Sequence, residues 1–137
     1  MRAAQFKKKM FQTRIEQLMI ILYAEVELVI NTKRNNRLET YRGDTGILSI
    51  SLAGYNFTEG DYAILSVKKD LEDVDYILQK MVDRFEDNKI VFIFTEKDTN
   101  IEAGLYQYDV KIYLSDGRRD RLITPSEFEI FEGVTHD

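Results

Sequence analysis

A chain of 137 residues without cysteine has room for one domain of ordinary size; it excludes disulfides, thiolate nucleophiles and cysteine metal centres, and it fits a reducing compartment. With 44% hydrophobic and 31% charged residues, eight Phe and eight Tyr, there is enough apolar surface to offset chain entropy, which excludes a disordered polymer. The net charge of −5 is uneven: Arg2, Lys7, Lys8, Lys9 and Arg14 stand without an acid in the first 14 residues, leaving −10 on the rest, and an acidic body with a short basic end excludes a backbone-tracking nucleic-acid binder.

The chain opens on a segment with a helical pattern. Phe11, Ile15, Leu18 and Leu22 recur at helical spacing, Met19 widens the stripe, and no Gly or Pro interrupts it. Read as a secretory signal, the same stretch fits poorly, because Arg14 and Glu16 break the approach to the apolar run Leu18 to Ala24. That run is also far short of the about 20 apolar residues needed to cross a bilayer, so no membrane partner is expected. A helix over residues 5–24 with an apolar stripe needs cover. Three readings stay open: it packs on its own β-domain, it mediates self-association, or the start of the chain is assigned too far upstream.

From Glu25 onward the period changes to two. Val26, Leu28 and Ile30, then Leu48, Ile50 and Leu52, alternate with mostly polar neighbours, as half-buried strands do. Asp61 to Lys68, Tyr76 to Phe85 and Lys89 to Phe94 are rich in aromatic and branched residues. Tyr106, Tyr108, Val110, Ile112 and Leu114 form the clearest alternation, and Phe128 and Ile130 close the series. Turn chemistry falls between these runs at Gly54, Glu59-Gly60, Asp87-Asn88 and Asp116-Gly117. The expectation is a mainly β fold: an immunoglobulin-like antiparallel β-sandwich of seven or eight strands over residues 25–132, preceded by an N-terminal helical extension (1–24) and followed by a tail (133–137). Thr95 with Asp98 three residues on is placed to cap a short helical turn. Tyr106, opening the next strand, suggests a structural tyrosine corner, whose phenol bonds the crossing backbone. Glu25, Glu27, Glu127 and Glu129 are candidates to block a sheet edge.

Residues for catalysis are sparse. The single histidine, His136, is next to last, where a general base is hard to hold in place. Asp70, Glu72, Asp73 and Asp75 form the densest acidic group, but the calcium-loop template fails, with Asp75 where Gly and Met81 where Glu are required. There is no Gly-rich phosphate loop, Gly-x-Ser-x-Gly elbow or His-Glu-x-x-His helix. The expectation is therefore no enzyme, with no catalytic, cofactor-binding or metal residues. Arg42-Gly43-Asp44 matches a cell-adhesion tripeptide but is better read as the turn into the strand near Ile47.

One set of motifs extends further. Tyr41-Arg42-Gly43-Asp44-Thr45-Gly46 precedes a strand, a second strand ends Val67-Lys68-Lys69, and Thr95 to Thr99 leads into Gly104-Leu105-Tyr106-Gln107-Tyr108-Asp109-Val110. In this order the chain resembles the small β-sandwich proteins of tailed phages and prophages, similar to the N-terminal domain of baseplate upper proteins, over about residues 25 to 132. The resemblance implies a non-catalytic structural or assembly component of a phage or prophage tail or baseplate. Its expected partners are other virion structural proteins or further copies of itself, and its expected location is the virion, or the bacterial host cytoplasm before assembly. The stripe Phe11, Ile15, Leu18, Met19 and Leu22 is the expected interaction helix. A free-standing immunoglobulin-like binding domain for carbohydrate or a surface protein is the alternative, and grouping of Tyr41, Tyr55, Phe57, Tyr62 and Tyr113 in a groove would favour it.

Overall fold

A computed structural model describes residues 23–28, 31–32 and 36–135. The expected helix, with its stripe of Phe11, Ile15, Leu18, Met19 and Leu22, lies outside the described residues, as does His136. At the boundary the expectation is corrected: Tyr23 and Ala24, assigned above to the helical extension, open a strand.

Among the described residues the chain is mainly β, with nine strands and one short helix. In order these are β1 (Tyr23–Leu28), β2 (Asn31–Thr32), β3 (Leu38–Tyr41), β4 (Gly46–Ala53), β5 (Tyr62–Lys68), β6 (Leu78–Val82), β7 (Lys89–Phe94), α1 (Glu96–Thr99), β8 (Gly104–Tyr113) and β9 (Arg119–Phe131). They form a three-stranded sheet, β1-β4-β7, and a six-stranded sheet, β2-β3-β9-β8-β5-β6.

The apolar alternation seen in the sequence becomes one core between the sheets. Leu48, Ile50 and Leu52 of β4 and Ile90, Phe92 and Phe94 of β7 point inward from one side; Leu65 and Val67 of β5, Val110 and Ile112 of β8, and Ile123, Phe128 and Ile130 of β9 point inward from the other. Phe94 meets Phe128 edge-on, with ring centroids 5.9 Å apart and planes at 78°, and Tyr108 meets the same ring at 6.1 Å. Edge-to-face rings at these distances add to area burial, so this trio ties the sheets together.

The purely antiparallel expectation is corrected. β3 runs parallel to β9, pairing Leu38 with Phe128 and Tyr41 with Phe131, so the larger sheet is mixed. The physical reason is cover: without β3 the last turns of β9 would expose an unpaired edge, and β3 both pairs it and buries Leu38 completely. The count also exceeds eight, because β2 and β3 are too short to carry a period-two signal. Arg42 to Asp44 turn the chain from β3 into β4, held by Arg42 N–H on the Phe131 carbonyl at 2.8 Å and by the Thr99 hydroxyl on the Asp44 carbonyl at 2.6 Å.

Local chemistry sets the connections. Thr95 caps α1 in a reciprocal box: its hydroxyl accepts from Asp98 N–H at 3.2 Å while the Asp98 carboxylate accepts from Thr95 N–H at 2.9 Å. Asp87 and Asn88 both hold positive φ, 52° and 55°, the pair required at a tight turn with the twist of a hairpin. Asn88 gains more than the turn from its amide, which donates to the Tyr55 carbonyl and accepts from Phe57 N–H, each at 2.8 Å. Asp116-Gly117 turns β8 into β9, with φ of 95° at Gly117 and Gly117 N–H on the Leu114 carbonyl at 2.9 Å.

Of the four glutamates expected at a sheet edge, Glu25 and Glu27 lie on β1, an edge strand of the smaller sheet, and the other two do not. Glu127 and Glu129 lie on β9, an interior strand, and bind the Arg37 guanidinium, which also donates to Glu39 at 3.2 Å. At the β6 edge the blocking charge is Lys80, half-buried, whose ammonium reaches Asp98 at 2.6 Å. An inward-turned charge on an edge strand opposes strand addition there.

Candidate functional site

Tyr106 lies at the start of β8 and is 4% exposed. Its hydroxyl donates to the Glu102 carbonyl at 2.5 Å, spanning the crossing from α1 to β8, and burial raises its pKa first, with the Glu102 charge adding to the effect. The Lys69 ammonium stands 4.7 Å over the ring and donates to the Leu105 carbonyl at 3.1 Å. Tyr106→Phe should lower stability by about 1 kcal/mol or more, since it leaves a carbonyl without its partner; an unchanged denaturant midpoint would reduce Tyr106 to packing alone.

The side chains with binding chemistry gather on the outer face of the larger sheet. Burial alternates along β5 and β8, so while Leu65 and Val110 enter the core, Tyr62, Ile64, Ser66 and Lys68 of β5 and Gln107, Asp109, Lys111 and Tyr113 of β8 face away from it. Register then sets the neighbours: Tyr62 opposes Tyr113, Ile64 opposes Lys111, Lys111 opposes Arg121 and Tyr113 opposes Arg119. Tyr62 and Tyr113 stack at 4.7 Å with planes 9° apart. Lys111 and Arg119 place their charges 5.1 and 5.6 Å from the Tyr113 ring, a distance at which the ring quadrupole attracts a cation.

A groove of about 400 Å³ crosses this face, bounded by Tyr113, Lys111, Arg121 and Asp109 on one side and by Lys68, Tyr76 and Leu71 on the other. Arg121 donates to Asp109 at 2.8 Å, and this hydrogen bond raises the Arg121 pKa despite some loss of hydration. Lys68 stands 5.0 Å from the Tyr76 ring and donates to the Asp73 carbonyl at 2.7 Å, anchoring the β5–β6 loop. That loop holds the acidic group noted in the sequence, Asp70, Glu72, Asp73 and Asp75, and interleaves it with exposed Leu71, Val74, Tyr76 and Ile77. Among the described residues no three acidic or histidine side chains converge as metal ligands.

The five aromatic residues singled out above do not gather in one place. Tyr62 and Tyr113 share the sheet face; Tyr41 packs on Phe131 at 5.6 Å; Tyr55 and Phe57 join Phe85 at one end of the domain, where Phe57 and Phe85 stack at 4.2 Å. Tyr76, a groove residue, stands in the sequence at the start of the expected strand run Tyr76 to Phe85, but β6 begins only at Leu78 and Tyr76 lies in the loop before it.

At the same end lies Asp61, an acid that is 1% exposed. One oxygen accepts from the Tyr55 hydroxyl at 2.9 Å and Thr58 N–H at 2.8 Å, the other from Ser115 N–H at 2.7 Å. Burial works to raise its pKa, but the backbone donors of Thr58 and Ser115 and the Tyr55 hydroxyl outweigh it and hold the carboxyl below its ordinary value. Burial first, and then the same carboxylate, push the Tyr55 phenol upward. Tyr55 and Thr58 belong to the same β4–β5 loop as Asp61, and Ser115 to the β8–β9 turn, so Asp61 folds its own loop and ties it to the next. Gly60 beside it keeps φ at 97° with a Cβ position only 3.0 Å from Ser115 Cβ, so a larger residue there is strained.

No protein-family model matches this chain, and no curated protein matches it.

Proposed function

We propose that this chain is an immunoglobulin-like β-sandwich serving as a non-catalytic assembly component of a phage or prophage tail or baseplate, and that it works through protein contacts. The observation that carries the reading is the outer face of the larger sheet, where tyrosines, cations and exposed apolar residues share one surface beside a protruding loop. Enrichment in aromatic residues and arginine is the mark of protein interfaces. Strand placement supports the immunoglobulin-like part: β3 crosses to the second sheet and pairs parallel with the last strand, while Tyr106 bonds the crossing ahead of the penultimate one. The motif order from Arg42 to Asp109 supplies the phage setting.

Against a carbohydrate ligand stand the rings themselves. Tyr62 stacks on Tyr113, cations approach the same ring, and Lys68 approaches Tyr76, so less ring surface is left to receive a sugar. The test is mass spectrometry of purified particles induced from the host that carries the gene. The chain should appear at a stoichiometry comparable with known tail proteins; particles complete in tail and baseplate but lacking it would overturn the proposal.

A further inference from the structure

We propose that the outer face of the six-stranded sheet is a self-complementary surface that pairs two copies of this chain about a two-fold axis. The inference rests on the reading that the chain works through protein contacts, and it names the partner as a second copy. The face carries opposite charge at diagonal corners. Arg119 and Arg121 of β9 and Lys111 of β8 form a basic corner beside Tyr113. β5 begins at Tyr62, next to that corner, and runs away from it to Lys68, where the loop bearing Glu72 and Asp75 emerges at the far end. Between the corners lies a weakly polar strip, with Ile64 opposite Met81 and Ser66 opposite Gln79, and Met81 is 59% exposed.

A two-fold interface presents one patch to itself, so it must hold both halves of each contact. Laying one copy on another about an axis between the two corners sets each acidic loop over the partner's basic corner. Both ion-rich contacts then form at once, and the uncharged strips, with Ile64 and Met81 beside the Ser66–Gln79 pair, meet in the middle, the layout of an interface whose charges lie at the rim. Leu71, Val74 and Tyr76, interleaved with the acids of the loop, would lose their exposure in the same step. The cations are already held in place, Arg121 by Asp109 and Lys111 and Arg119 by the Tyr113 ring. They are thus spread across a sheet rather than converging on a point, which suits an extended acidic surface better than a small anion.

The experiment is sedimentation of the full chain over a range of concentrations, with two charge-reversed variants. One carries Lys111→Glu with Arg119→Glu, the other Glu72→Lys with Asp75→Lys. The native chain should form a dimer. Each variant should dissociate about tenfold more readily or worse, because like charges then face each other at both contacts. An equimolar mixture of the two should restore a one-to-one heterodimer, since each reversed corner meets a reversed loop. Far-UV circular dichroism checks that the variants fold, and raising the salt concentration should weaken the native dimer without any substitution. A native chain that stays monomeric, an association that strengthens with salt, or variants that associate as the native chain does would each overturn the proposal. If deleting residues 1–22, which leaves β1 whole, abolishes association while the sheet variants are silent, the contact belongs to the terminal segment and the proposal also fails. Presence in phage particles is read separately, so losing the dimer leaves the assembly role standing.

Discussion

Asp61→Ala should cost about 3 kcal/mol or more, because it leaves the Tyr55 hydroxyl and the N–H groups of Thr58 and Ser115 without the acceptor they share, and each buried donor left unpaired costs about 1–3 kcal/mol. Against a total stability of about 5–15 kcal/mol for a domain, this is a large fraction. Urea denaturation measures it, and an unchanged midpoint would show that water replaces the carboxylate at no loss. Asp61→Asn is the gentler variant and isolates the charge. Since the folded-state pKa of Asp61 is lowered, the unfolded chain binds the proton more readily. Its stabilisation is therefore complete above the ordinary carboxylate value of about 4 and is lost as pH falls below that through the folded value. Asp98 follows the same sign: burial opposes ionisation, but Lys80 and the Thr95 N–H prevail and hold its pKa down. The native protein should thus lose stability below about pH 4, and Asp61→Asn should flatten that slope without abolishing it, because Asp98 still titrates.

Phe94→Ala should be as damaging by another route. Phe94 is fully buried in β7 and meets Phe128 of β9 across the core. Truncation removes the ring and leaves a void that two sheets held apart by their other side chains cannot close, at a cost of about 3–5 kcal/mol. Phe94→Leu should cost less, since most of the volume remains. If the alanine variant loses less than the leucine variant, the core collapses around the site and the ring is not what spaces the sheets.

How much of this was legible in the sequence follows from where each residue finds its partners. β8 was readable because one face is buried along its whole length, so Tyr106 to Leu114 alternates without interruption. β7, Lys89–Phe94, was found at its true ends for the same reason. β9 was seen only from Glu127 to Ile130; its first half, Arg119 to Leu122, is largely exposed, and register shifts against β8 blur the period. β3 was missed because four residues with a single buried side chain, Leu38, carry no pattern. The Thr95 cap was legible since both partners lie within three residues. Asp61 was not, because Ser115, which completes its site, is 54 positions away. On the sheet face the residue types could be listed from the sequence, but Tyr62 meets Tyr113 across strands far apart in the chain, and Lys111 meets Arg121 only through a hairpin whose register shifts. Lys80 carries no signal of its own in the sequence, and only its turn toward Asp98 makes it an edge guard.

The parallel pairing of β3 with β9 bears on how the chain comes into being. Leu38 and Phe128 are ninety positions apart, and closing a loop of that length carries a length-dependent entropic cost of about 4 kcal/mol. During synthesis β3 and the strands that follow it emerge from the ribosome ahead of β9, the strand that pairs with both β3 and β8. The β8 edge and the inner face of β3 therefore wait uncovered, and the Phe94 ring has no Phe128 to meet. The nascent chain is most vulnerable to wrong pairing in that interval, and the last strand to be made is the one that locks the first part of the domain to its end.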